Sequence, residues 1–284
     1  MRSFRSFTAL LAVGAVALAA CGSSSGTASK SAPKHGGMTD AQMQCMDSAY
    51  AAKHHELCVH GAGAMHSSAP QTAQPLSYTP DGLIDASKVD LSGVPGVTPT
   101  QQKAAEDILI RTIKTLPKWS DQKVALADGF QSIGDGLTGE EHLLHWDWID
   151  DSTIFDPEHP ESLVYKVDRA TGTKTLEAAM YIMPKQYTLQ SPPAIASNLM
   201  QFHYHDNLCF GPAQPPLGPQ VRGLTNAQGG CNPPLTKFNP NIQVHVWIRA
   251  NDCGPFAALL GVGAGQIQPG QQRACDHDHG KLSL

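Results

Sequence analysis

The sequence predicts an α+β fold in which two N-terminal helices pack on a mainly antiparallel β-sheet or small barrel, with one long disulfide-stapled loop. Three observations carry this reading. Apolar residues recur at helical spacing between Thr98 and Leu116, with a shorter run following from Asp121 to Phe130. Three later segments instead alternate apolar with polar residues, as half-buried strands do. Between the last two lies a Pro/Gly-rich stretch, residues 206–240, with Cys209 and Cys231 near its ends.

Before the first helix the chain divides by composition. Arg2 and Arg5 precede an apolar run from Phe7 to Ala20 that is too short to span a bilayer as a mature helix, so residues 1–20 read as a signal peptide. Residues 21–37 are small and polar, a flexible tether. Residues 38–66 form an island rich in Met, His and Cys (Met38, Met43, Met46, His54, His55, His60, Cys45, Cys58), a ligand mixture that suits copper. The same residues read equally as a small helix stapled by Cys45 and Cys58. Residues 67–97 read as a linker with one short extended piece at Leu83-Ile84, residues 98–275 as a single globular domain and residues 276–284 as a disordered tail.

Within the domain, Thr98 and Pro99 open the first helix, and Ala105, Ile108, Leu109, Thr112, Ile113 and Leu116 form its apolar face. The second helix is expected to stop at Gly129. Residues 140–151 crowd carboxylates and histidines together. Glu140 to Leu143 is expected to be a turn entering a strand that runs from His145, with Glu141, His142 and His145 as candidate ligands. A hairpin follows, Leu163–Val167 against Thr175–Met183.

The chemistry concentrates in the two strands after it. In Leu199 to Cys209, His203 and His205 fall on one face and Met200, Phe202 and Tyr204 on the other. In Ile242 to Ile248, the stripe Ile242, Val244, Val246 and Ile248 leaves Gln243, His245 and Trp247 opposite. If the apolar stripes share one core, His203, His205 and His245 share the other face, and neutral imidazoles so placed bind zinc or copper. Beyond this strand, Phe256 to Val262 is expected to form a short helix.

Bulk composition narrows the classes. Net charge is −5, two units more negative once Arg2 and Arg5 leave with the leader, which excludes nucleic-acid binding through clustered Lys and Arg. With 26 Gly and 21 Pro the chain is loop-rich, yet 41% hydrophobic residues suffice for one core of about 180–200 residues. A nucleophile elbow, a phosphate-binding loop and a dinucleotide glycine fingerprint are absent from the sequence.

Leu18-Ala19-Ala20-Cys21 resembles a bacterial lipobox, which implies cleavage before Cys21, a lipid on its sulfur, and a mature chain anchored at the extracytoplasmic face of the cell membrane. In that oxidising place the other six cysteines read as three disulfides between sequence neighbours: Cys45 with Cys58, Cys209 with Cys231, Cys253 with Cys275. The run from Glu141-His142 through Asp156-Pro157-Glu158-His159-Pro160-Glu161, with Val244-His245-Val246-Trp247, resembles an uncharacterised group of exported bacterial proteins, many of them lipoproteins. The resemblance implies one shared domain and supplies no activity. His203, His205 and His245 are also similar in order to the cupin His-x-His and later His, which implies a strand-borne metal; Asp206-Asn207 follow where cupins place a glutamate. The expected function is therefore a lipid-anchored protein with a histidine-based site for a divalent transition metal, zinc or copper. The alternatives are a metal-dependent enzyme with Glu141 or Asp206 as general base, and a structural or interaction envelope protein without metal. Protein partners are not specified by the sequence.

Overall fold

A computed structural model describes residues 74–136, 139–149, 151–195, 197–238, 241–251, 254–258 and, for the backbone, 266–267. The leader, Cys21, the tether, the whole Met/His/Cys island with its expected Cys45–Cys58 disulfide and the chain on to residue 73, together with Cys253, Cys275 and the tail, lie outside the described residues.

Helix α1, Pro99–Thr115, forms where the periodicity predicts it. The Thr98 side chain accepts from the Gln101 backbone N–H, and the Gln101 side chain returns the bond to the Thr98 backbone, a reciprocal cap that satisfies two otherwise orphaned donors. The helix buries Ala105, Ile108, Leu109, Thr112 and Ile113 and tightens into a 3-10 turn at Leu116–Trp119. The expected second helix is not realised as a packing element. α2, Gln122–Ala127, has six residues and buries only Ala125, because Asp121 caps it and the positive φ of Gly129 (100°) turns the chain away almost at once.

Ten strands follow. A seven-stranded sheet runs in the order β1 (Gln131–Ser132), β2 (Glu140–Leu144), β3 (Ser162–Val167), β4 (Lys174–Ile182), β9 (Gln243–Trp247), β5 (His203–Tyr204), β10 (Gln266–Ile267), every pair antiparallel. The β3–β4 hairpin and the β9 strand lie where alternation places them. Two expectations fail locally. Glu140–Leu144 is the strand, and the chain after His145 is a 3-10 turn, Trp146–Trp148. Its neighbours decide this: all five residues of β2 are buried against β1 and β3, so tertiary pairing overrides the alternation of the tryptophans. The run Leu199 to Cys209 is strand only at His203–Tyr204, and its end, Leu208–Gly211, departs as β6 into a second sheet.

That second sheet, in the order β7 (Gln220–Leu224), β6, β8 (Thr236–Lys237), is built from the stretch expected to be an irregular loop. The expected Cys209–Cys231 disulfide is present, with 5.7 Å between Cα atoms. Phe256 to Ala258 are buried but not helical; their backbone accepts or donates bonds to Gln201, and Pro255 accepts from the Trp247 N–H. Residues read as linker also reach the core: Ile84 and Leu91 are buried, and Ile84 bonds to the Ile248 carbonyl.

The two faces of the large sheet build two cores. Leu143, Leu163, Tyr165, Ala179, Tyr181, Val244 and Val246 pack against α1, where Thr112 Oγ1 and Tyr181 OH share a buried hydrogen bond of 2.8 Å. The opposite face carries Leu144, Val164, Ala178, Met180, Ile182 and Trp247, covered by Phe210, Val221 and Phe238 of the second sheet and its margins. Among the described residues no helix is long and apolar enough to cross a membrane.

Candidate metal centre

The histidines lie on the face roofed by the second sheet. His142 has the parity of Leu144 in β2, and His245 has that of Trp247 in β9, so both point into the same space as the apolar residues of that core. Two strands, β3 and β4, separate them. Three strand spacings of about 4.8 Å would hold two such rings well apart on a flat sheet, yet the two Nε2 atoms are 3.3 Å apart. The sheet therefore curls into a trough. The row His142, Val164, Ala178, Trp247 runs across it, and the small Val164 and Ala178 leave room on its floor.

Asp135 fixes one ring. Its Oδ1 accepts the His142 backbone N–H at 2.9 Å and its Oδ2 meets His142 Nδ1 at 2.6 Å. The left-handed backbone of Gly134 (φ 77°) supplies the turn that brings Asp135 back to β2, with the Gln220 side chain so close that a Cβ here would collide with it. Burial opposes charge on His142, but the Asp135 carboxylate and its hydrogen bond, aided by Glu140 and Glu141, outweigh it and raise the imidazole above its ordinary value. With Nδ1 tied to a carboxylate, Nε2 is the nitrogen that faces His245, an arrangement familiar from metal-ligating histidines.

From His245 the imidazoles continue. His203 stacks on it, centroids 4.9 Å apart and planes 15° apart, and His205 meets His203 edge-on at 5.3 Å. His203 and His245 are fully buried, whereas His205 is half-buried. The sequence thus brings His203, His205 and His245 into one file, but stacked rings present faces to each other rather than lone pairs. His203 Nε2 contacts the Gln243 side-chain amide at 3.2 Å instead, and its Nδ1 faces the Gln201 carbonyl at 3.4 Å. The close nitrogen-to-nitrogen approach is His142 with His245, a pairing that strand alternation could not foresee because it crosses two strands. Among the described residues no three of His, Cys, Asp and Glu gather closely enough to hold an ion unaided.

Two other candidates lie elsewhere. His145 stacks on Trp148 at 3.6 Å, with its Nε2 on the Asp128 carbonyl, and burial lowers its affinity for a proton. Glu141, one residue from His142 and so on the other face, bonds Ser132 Oγ, the Gln122 amide and the Lys174 ammonium. Burial alone would raise its carboxyl, but those three bonds hold it below the ordinary range, so it is a structural anion and no base for the trough.

Sequence inspection also passed over two carboxylates at the trough. Glu140 shares the His142 face, and burial followed by repulsion from Glu177 pushes its carboxyl up to about 8. Glu177 is the extra residue of a bulge in β4, where Val164 pairs with Ala178 but Tyr165 with Leu176. The sequence holds no local signal for that bulge. Comparison with known protein families, curated proteins and solved structures finds no match.

Proposed function

We propose that this protein is a membrane-anchored extracytoplasmic lipoprotein that binds or handles a transition metal, with His142 and His245 as its protein ligands. One observation carries the reading: two imidazole Nε2 atoms 3.3 Å apart, one ring oriented by a carboxylate at its other nitrogen. Nitrogens at about 2.1 Å from a common ion and this far apart subtend about 104°, close to the tetrahedral angle zinc adopts and far from the linear geometry of two-coordinate copper(I). Zinc is thus preferred, with copper(II) next. Two protein nitrogens leave the remaining positions to water or an incoming ligand. Structural zinc sites close all four positions, so an ion here exchanges readily, which suits acquisition or delivery better than stapling a fold.

Anchoring rests on Leu18-Ala19-Ala20-Cys21, and the oxidising location is supported by the Cys209–Cys231 disulfide. The deciding experiment measures metal in protein purified without a histidine tag and then dialysed against zinc or copper. About one equivalent, lost in His142→Ala and His245→Ala but kept in His145→Ala, is expected. Less than about a tenth of an equivalent of zinc, copper, iron or manganese, with none regained, ends the metal reading.

A further inference from the structure

The proposed ion site is nearly closed off. His245 is fully buried and the His142 side chain is 11% exposed, so an ion that exchanges needs a route. The apolar residues of this face, Val164, Ala178, Met180 and Trp247 with Phe210 in the same core, offer a hard or borderline cation no good lone pair. Of the polar groups, Glu140 lies along β2 opposite Lys166 and Asp135 is spent on His142, whereas the file of imidazoles leads away from the pair on the His245 side. We infer that His205 and His203 form the ion's path between solvent and the His142–His245 pair, with His205 as the first protein ligand an arriving ion meets; this rests on the metal reading above.

Three features support the path. It begins at a half-buried ring and ends at a fully buried one, so it spans surface to site. Successive ring centroids are 5.3 and 4.9 Å apart, so each imidazole touches the next, and the His203 ring has to rotate out of its stack on His245 for a nitrogen of one to hand an ion to the other. The Gln243 amide caps His203 Nε2, and a neutral cap is displaced by a cation far more easily than a carboxylate is. At the opposite end Asp135, its side chain 14% exposed, already spends both oxygens on His142, so an ion arriving there would have to break the bonds that orient the ligand.

The path is tested with His205→Ala and His205→Gln in the full chain, using zinc alone. Equilibrium affinity is read by competition with a chromophoric chelator, and rates by stopped-flow transfer from and to that chelator. A relay residue speeds loading and unloading equally, so both variants are expected to slow association and dissociation about tenfold or more while leaving Kd within about twofold. Unchanged rates in a chain that binds zinc overturn the path and leave the site, the ion then passing Asp135. A weakened Kd with unchanged association makes His205 a ligand rather than a relay and also overturns it. Wild-type protein that takes up no zinc removes the site itself, and the path with it.

Discussion

Replacing Asp135 by Asn tests the orienting bond with the least change of shape. The carboxylate bridges the His142 backbone N–H and ring Nδ1 at 2.9 and 2.6 Å. Asparagine keeps an oxygen for the backbone donor, but presents its NH2 to Nδ1. That nitrogen must then accept, which moves the imidazole proton to Nε2 and blocks the lone pair facing His245. Loss of such an orienting partner lowers metal affinity about 10- to 100-fold, or about 1.4–2.7 kcal/mol. Titration with zinc against a chelator reads this directly, with circular dichroism confirming the fold. The metal-free chain supplies an independent readout. Because His142 has its affinity for protons raised on folding, the Asp135 pair contributes stability that is fully present below the unfolded value of 6.5 and fades as pH rises through the higher folded value. Asp135→Asn is therefore more destabilising at pH 5.5 than at pH 8.5. Zinc affinity within about threefold of wild type, in a folded variant, refutes the argument that Asp135 prepares His142 as a ligand.

Glu161 provides a second pH signature outside the trough. Burial pushes its carboxyl up to about 8, against the opposing bond from the Ile182 N–H. A raised carboxylate destabilises the fold as pH climbs from its unfolded value of 4.5 towards 8, so Glu161→Gln should gain on wild type by on the order of 5 kcal/mol over that interval in urea denaturation; parallel pH profiles would contradict it. Cys209→Ser with Cys231→Ser opens a loop closed across 22 residues. It is expected to lower stability by about 3 kcal/mol and loosen the roof over the histidines, seen as faster amide exchange in β6 and β7 than in β3 and β4; uniform exchange would show that the roof does not depend on the staple.

The sequence made legible whatever depends on one element at a time. Thr98, Pro99 and the apolar face through Leu116 specify α1 because capping and the 3.6-residue period are local facts. The stripe Ile242 to Ile248 likewise specifies which side of β9 meets the helix and which carries His245. What stayed hidden depends on curvature. Nothing in Glu140 to Leu144 says that β2 will bend round until His142 faces a histidine three strands away, and nothing near Leu176 announces the bulge at Glu177. The segment 206–240 hid its strands for a different reason. Strands of two to five residues among prolines and glycines have no room to show a period.

A trough lined by Val164, Ala178, Met180, Ile182 and Trp247 has no need of histidines to hold together. A buried ionic group is rarely the most stabilising choice for its place, and replacing a whole buried polar set by apolar residues of like volume is often neutral or favourable by about 1–4 kcal/mol, whereas removing one partner is harmful. The triple variant Asp135→Asn, His142→Met, His245→Met removes both imidazoles together while keeping an acceptor for the residue 142 backbone N–H. If the histidines serve a ligand, this variant unfolds at a urea concentration equal to or above that of the metal-free wild type and takes up no zinc. If they serve the fold, the trough loses a network it depends on, and the variant falls by more than about 3 kcal/mol. Stability and binding then move together rather than apart, and that outcome would return the imidazole file to the category of internal packing.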